Sequence, residues 1–463
     1  MGIPQKNNGP NRNIRRRAFA YLRFLLAMAV MFSPATALCT GETRLSFAPS
    51  GKPMFNVRFF DEGERYDEFE NASNPNLSPW TLSPELKDEV MGAVGLWGEI
   101  LGPGSCNDSP VLINVGTYNL GNADVWSQPN SGRPHTAVAD SIISGLQMEV
   151  PARMRIGLLD FSTSEHPYPI PLSGRWEPMP VVFHEVGHAL GITSFADQFK
   201  LSPGRFDIRR TSEWDSHLYD RYGTRLEPGM ELLDEKFDDG THENVFIVGW
   251  FTQSRVVFKG EHVSEVLDGA MENGLTIEGF EPDGVQAYPE LSHIELERGL
   301  MSHQYYRNYT TLMEAELAVL QDIGYELDRR NFYGRSVYGD DGTIVNANGF
   351  FGRDEAGTHY IEEMANTSSL GVGLHVYGKR NDITQAADLL ADGTAGTGIR
   401  VDGSGNTLRL VKDVRVTANG GHGTGLLVSY GKDQEILSDG DILALGEGGD
   451  RRPFRFRPQC DWR

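Results

Sequence analysis

Cysteine is scarce in this chain of 463 residues, with three in all. That is too few for a disulfide scaffold; Cys39 and Cys106 could pair, which leaves Cys460 odd. Long apolar runs are missing as well. The stretch from Phe24 to Phe32 falls well short of the roughly 18 apolar residues a bilayer span needs, and no later segment reaches that length, so no transmembrane helix is expected. Basic charge is also in deficit, at 42 Lys and Arg against 64 Asp and Glu, a formal net charge of −22. Six of the basic residues (Lys6, Arg12, Arg15, Arg16, Arg17, Arg23) sit among the first 37, which hold no acid, so the remainder carries about −28. Such a surface repels nucleic acid and anionic lipid, which argues against nucleic-acid binding.

Those first 37 residues form a pattern of their own. Basic residues precede the apolar run, and Ala35-Thr36-Ala37 supplies a small-residue cleavage site, so residues 1–37 read as a secretory signal peptide. Leu38 just before Cys39 argues against a lipoprotein cleavage. The mature chain is therefore expected to be exported, either secreted or on a bacterial cell surface. Its length leaves room for two domains.

The chemistry is concentrated in PMPVVFHEVGHALGITS, Pro178 to Ser194. His184 and His188 are four apart, so on a helix they share a face one turn apart, where two imidazoles can converge on one metal ion. Glu185 lies beside them, placed to reach a water held by the metal. Val181, Val182, Val186, Ala189 and Leu190 make the helix apolar, Pro180 is tolerated in its first turn, and Gly191 is the expected stop. This is the H-E-x-x-H zinc pattern. A hydrolytic zinc takes three protein ligands and keeps one position open, so a third ligand has to come from downstream. His293, His303, Glu314 and Glu316 are the candidates, and a glutamate ligand would make the site gluzincin-like.

Much later comes LSHIELERGLMSHQYYRNYTTLMEAELAVLQDIGY, Leu291 to Tyr325, and with it the chain resembles the metzincin proteases of the leishmanolysin type. In that family a long insertion separates the helix from the third ligand, and a methionine turn follows. The resemblance implies His184, His188 and His293 as ligands of one catalytic Zn2+, Glu185 as general base, Gly191 as the turn after the helix, and Met301 as the methionine under the metal. It implies a protein or peptide as substrate. His303, two residues past Met301, falls where several metzincin families place a tyrosine that stabilises the tetrahedral intermediate. One departure stands out: position 194, where short-spaced metzincins carry their third histidine, is Ser194; the insertion from His188 to His293 counts 105 residues, and the gap from His293 to Met301 is short. A reading from another class is a non-catalytic autotransporter-type surface adhesin whose zinc site is vestigial. An intact Glu185 argues against it, since a structural zinc site has no use for a base.

The expected fold class is an α+β metzincin-like catalytic domain with an active-site zinc helix, followed by a short parallel β-solenoid. Met54 to Phe60, Val111 to Val115 and Met154 to Leu159 read as strands. Ser83-Pro84 opens a helix with Leu86, Val90, Val94, Trp97 and Leu101 on one face, ended by Gly102-Pro103. Residues 195–290, rich in Asp, Glu and Gly and containing SEWDSHLYDRYG, read as a subdomain inserted within a protease domain of residues 38–335. Its His217, His242 and His262 read as surface or packing residues. Thr311-x-x-Glu314 is a capping-box signature for a helix with Leu312, Leu317, Leu320 and Ile323 on one face, stopped by Gly324.

Beyond Gly339 the composition shifts to Gly, Asp, Asn and Thr, and repeats appear: GVGLHVYG at Gly371, GTGIRVDG at Gly396 and GTGLLVSYG at Gly423, offset by 25 and 27 residues. A period of this size with alternating apolar residues means coils that bury their faces by stacking, as in a β-solenoid over residues 340–450, outside the catalytic unit. The stretch resembles the β-helical passenger region of bacterial autotransporters, a resemblance that implies an outer-membrane translocator. None is read in this sequence, and the atypical tail 451–463, RRPFRFRPQCDWR, is read as a truncation or frame-shift.

Overall fold

The computed structural model describes residues 41–66, 77–119, 123–158, 178–196, 199–241, 243–281, 288–303, 312–354 and 357–447. The signal segment, the atypical tail, Cys39, Cys460, His242 and Thr311 lie outside the described residues, while Cys106 is exposed. No helix among the described residues is long and apolar enough to cross a membrane.

The N-terminal part is a five-stranded sheet carrying helices. Strands β1 (Glu42–Phe47), β2 (Pro53–Phe59), β3 (Val111–Thr117), β4 (Ala123–Trp126) and β5 (Ala152–Ile156) run in the order β1-β2-β3-β5-β4. β2, β3 and β5 are parallel, and β4 pairs antiparallel to β5 at the edge. The three strands read from sequence fall on β2, β3 and β5, within a few residues at their ends. Helix α1 (Pro84–Leu101) starts where Ser83 Oγ accepts the Leu86 N–H at 3.3 Å with Pro84 at the first position, and it buries Val90, Val94, Trp97 and Leu101. Helix α2 (Ala137–Ser144) is capped by Thr136, whose Oγ1 accepts from Ala139 N at 3.1 Å. Helix α3 (Pro178–Ala189) is the histidine helix. Trp97 of α1 donates its indole N–H to Phe183 O at 2.9 Å, which locks α1 onto α3 through the apolar core.

The described residues between 195 and 290 fold into small sheets. Strands β6 (Lys200–Ser202), β7 (Arg205–Asp207), β8 (Leu218–Tyr219), β9 (Glu231–Asp234), β10 (Val245–Val248), β11 (Val256–Phe258) and β12 (Leu275–Ile277) form two sheets, β10-β9-β7-β6 and β12-β11-β8. Helix α4 (Glu261–Leu267) lies between β11 and β12, and β13 (Phe280–Glu281) pairs with β14 (Tyr288–Pro289). Helix α5 (Glu314–Asp322) follows, and its start corrects the sequence reading. The N-cap is Met313, and the carboxylate that reaches back to its N–H, at 2.6 Å, belongs to Glu316 rather than Glu314.

The C-terminal part contains three parallel sheets. Strands β15 (Tyr333–Val337), β16 (Thr343–Asn346), β17 (Val372–Val376), β18 (Asp382–Gln385), β19 (Leu389–Leu390), β20 (Thr397–Val401), β21 (Thr407–Leu410), β22 (Arg415–Thr417), β23 (Thr424–Val428), β24 (Glu435–Ser438) and β25 (Asp441–Leu443) give the orders β15-β17-β20-β23, β16-β18-β21-β24 and β19-β22-β25. The three glycine-bracketed repeats are β17, β20 and β23, each in register with the next. The sheet begins earlier than the expected boundary at residue 340, because Tyr333 to Val337 already pair with β17. Leu374, Val376, Ile399 and Val401 alternate into the stack's own core, while Leu370 and Val372 join the core shared with the N-terminal part. The described residues from Thr43 onward accordingly form one compact unit.

Candidate metal centre

Helix α3 is held at both ends of its chemistry. Val182, Phe183, Val186 and Ala189 are buried, and a Cβ at Gly187 would meet Met301 Sδ at 2.5 Å, so the Met301 side chain would have to shift to admit one. Met301 therefore packs against the helix backbone between the two histidines, fully buried. The last carbonyls of the helix are satisfied from outside, Ala189 O by Thr136 Oγ1 at 2.6 Å and Leu190 O by Tyr325 OH at 2.7 Å. Gly191 then turns the chain at φ +108°, as its place after the helix predicts.

His184, His188 and His293 come together as a group able to hold one metal ion, with ligand atoms within 4.8 Å of one another. Their ring centroids are 4.7, 5.3 and 5.0 Å apart. Two of the rings are oriented through Nδ1, His184 on Leu300 O at 2.6 Å and His188 on Ile192 O at 2.7 Å, while His293 Nδ1 lies 2.9 Å from the Glu278 carboxylate. A carbonyl only accepts, so Nδ1 of His184 and of His188 must donate, which turns the Nε2 lone pair of each neutral ring inward. These two Nε2 atoms lie 3.1 Å apart. Two zinc–nitrogen bonds of about 2.05 Å at a tetrahedral angle would hold them about 3.3 Å apart, so the donor set fits that ion. His184 is fully buried, whereas His188 and His293 are partly open, so the group is reached from their side. Glu185, one residue from His184, is buried and stands outside the ligand group.

The third imidazole is delivered by clamps that sequence reasoning missed. Ser194, which stands where a short-spaced metzincin would carry histidine, donates its backbone N–H to Ser292 Oγ at 3.0 Å, next to His293. Trp214 donates its indole N–H to Leu291 O at 2.8 Å. Asp215 accepts from Phe195 N and Ser212 N, both at 2.8 Å. Burial raises its carboxyl against those hydrogen bonds and that of Ser194. The SEWD segment thus ties the exit of α3 to the arrival of His293. The only sequence signal was the cluster of Ser, Trp and Asp in an otherwise irregular stretch.

The remaining sequence candidates sit elsewhere. His303 is buried and falls in a second group with Glu278 and Glu295, one carboxylate removed from the three imidazoles, and its ring meets Phe251 edge-on at 5.6 Å. Glu314 pairs with Arg329 at 3.3 Å. Glu316 accepts Met301 N at 2.7 Å, Leu300 N at 3.2 Å and Met313 N at 2.6 Å. Neither glutamate belongs to the imidazole group. His217 stacks on Phe258 at 5.0 Å and His262 lies 3.9 Å from Glu265, which are packing and surface roles.

Fold and site together define a mixed α/β protein, with several sheets that include parallel ones, and a three-histidine group that could hold a metal. No protein-family model, curated protein or solved structure matches this chain.

Proposed function

We propose that the chain is an exported zinc-dependent endopeptidase of the leishmanolysin-like metzincin type, with C-terminal coils that form a short β-solenoid. The observation that carries this reading is the convergence of three imidazoles, two of them fixed through Nδ1 by backbone carbonyls and sharing their helix with Glu185. When bound, zinc would supply Lewis-acid polarisation of a peptide carbonyl and a water of lowered pKa. His184, His188 and His293 would hold it, leaving an open side toward the partly exposed rings. Glu185, adjacent in the helix, takes the proton of the attacking water and returns it to the leaving amine. Strand β4 favours an extended peptide as substrate: among the described residues it pairs on one side only, with β5, and it lies against α3. A peptide adding to that edge would present its backbone beside the histidines. Export rests on the basic and apolar start of the sequence.

The test is hydrolysis of a fluorescently labelled unfolded protein by the purified chain, with a chelator and after zinc is restored. Activity should vanish and return. Glu185→Gln should keep about one zinc per chain and lose activity by about 10²–10⁴-fold. Activity within about tenfold of wild type would remove Glu185 from the mechanism, and chelator-insensitive cleavage would remove the metal.

A further inference from the structure

The segment from Glu297 to Met301 links the metal centre to two other parts of the molecule. Its Leu300 carbonyl orients His184, and its Leu300 and Met301 N–H groups are held by Glu316 of α5. Its first half is held from the C-terminal sheets. Tyr377, the residue after β17, accepts the Glu297 N–H on its hydroxyl at 3.0 Å. Arg400 of β20 donates Nη2 to Arg298 O at 3.2 Å, where Arg298 turns the chain at φ +67°.

Arg400 occupies an unusual place for a charged residue. In the register of the sheet, His375 of β17 and Arg400 of β20 are neighbours in a column that alternates with the core residues Leu374, Val376, Ile399 and Val401. That column faces away from the core of the stack and would ordinarily meet solvent. Both His375 and Arg400 are fully buried instead. Arg400 Nε and His375 Nε2 each lie 2.9 Å from Asp402 Oδ2, and Ser429 Oγ donates to the other oxygen. Burial opposes the Asp402 charge, but Arg400 and His375 bring its carboxyl down to about 2, so the guanidinium stays fixed by an ionised partner. A buried ion pair contributes little net stability compared with apolar packing, so its position calls for another reason. The reason at hand is the contact it makes with the Arg298 carbonyl.

Resting on the reading of His184, His188 and His293 as a zinc centre, we infer that the C-terminal coils are a working part of that centre, with Tyr377 and Arg400 as positioning residues. They fix the Glu297–Met301 segment, which in turn orients His184 and seats Met301 under α3. The consequence is an order of events: the centre is completed only once the coils carrying β17 and β20 have folded onto the catalytic part. A chain folded only as far as α5 would have its histidines without their support.

The test measures zinc affinity by chelator competition, with kcat and KM, on the full chain and three variants. Tyr377→Phe keeps the ring and removes the accepting hydroxyl; Arg400→Met removes the guanidinium; Ile442→Ala weakens the last coil at β25 without touching the segment. Tyr377→Phe should weaken zinc binding about three- to tenfold and Arg400→Met about tenfold or more, with kcat falling and KM nearly constant. Ile442→Ala should lower the melting temperature and leave zinc affinity unchanged, which a merely structural role for Tyr377 would also do. Wild-type zinc affinity in folded Tyr377→Phe overturns the inference, and this variant alone decides if Arg400→Met does not fold. A wild-type chain that binds no zinc overturns the metal-centre reading itself, and the inference with it.

Discussion

Replacing Glu316 by leucine removes the carboxylate that accepts from three backbone donors in the heart of the molecule. Leu300 N, Met301 N and Met313 N all point at its carboxylate, which is fully buried. Each buried donor left unsatisfied costs about 1–3 kcal/mol, so Glu316→Leu should destabilise the fold by about 3–6 kcal/mol after the gain from burying an apolar side chain. The same change frees the segment that orients His184, so zinc binding should weaken as well. Glu316→Gln keeps one accepting oxygen and sheds the burial of a charge, so its loss should be far smaller. Burial pushes the Glu316 carboxyl up to about 7, against the opposing pull of the three N–H donors and of Arg400. A folded pKa raised above the unfolded value of 4.5 contributes stability that is full below pH 4.5 and is lost as pH rises through 7. The wild type should therefore gain up to about 3 kcal/mol between pH 8 and pH 4.5 from this group, and neither variant should show that slope. Urea unfolding at pH 5 and pH 8 measures both effects. A Glu316→Leu chain within about 1 kcal/mol of wild type at pH 8 would refute the assigned role of the carboxylate.

Two further outcomes follow from the same geometry. Glu278→Gln should keep an acceptor for His293 Nδ1 without its charge and weaken zinc binding about tenfold, read by chelator competition; an unchanged affinity would show that His293 does not depend on this carboxylate. Asp215→Ala should strip Phe195 N and Ser212 N of their acceptor and cost about 2–5 kcal/mol in urea unfolding, with zinc binding weakened through the loosened approach of His293, whereas a stable variant with native affinity would deny the clamp.

What the sequence made legible is local. Two histidines four apart on an apolar stretch, a serine and proline at the start of α1, and glycine-bracketed repeats each express a period or a cap that needs no partner. His293 was reachable only through resemblance, because nothing within a hundred residues of α3 announces which imidazole will return to it. The clamps that bring it back, Ser194 to Ser292 and Trp214 to Leu291, are tertiary hydrogen bonds with no spacing to betray them. Gly187 reads as an indifferent helix residue until Met301 is seen against it. The capping box at Thr311 had the right pattern, yet the N-cap is Met313 and the helix starts at Glu314, with Glu316 serving the Met301 segment and the N-cap with one carboxylate. His375 and Arg400 sit at outward positions of the repeat and would be read as solvent-facing; their burial appears only when the sheet is seen against the part that carries the three histidines.

The most direct test of a three-histidine zinc centre is the metal content of the purified chain by elemental mass spectrometry. The wild type should carry about one zinc, His293→Ala should carry almost none, and His303→Ala, whose imidazole belongs to the neighbouring carboxylate group, should keep about one. Full zinc retention by His293→Ala would contradict the account.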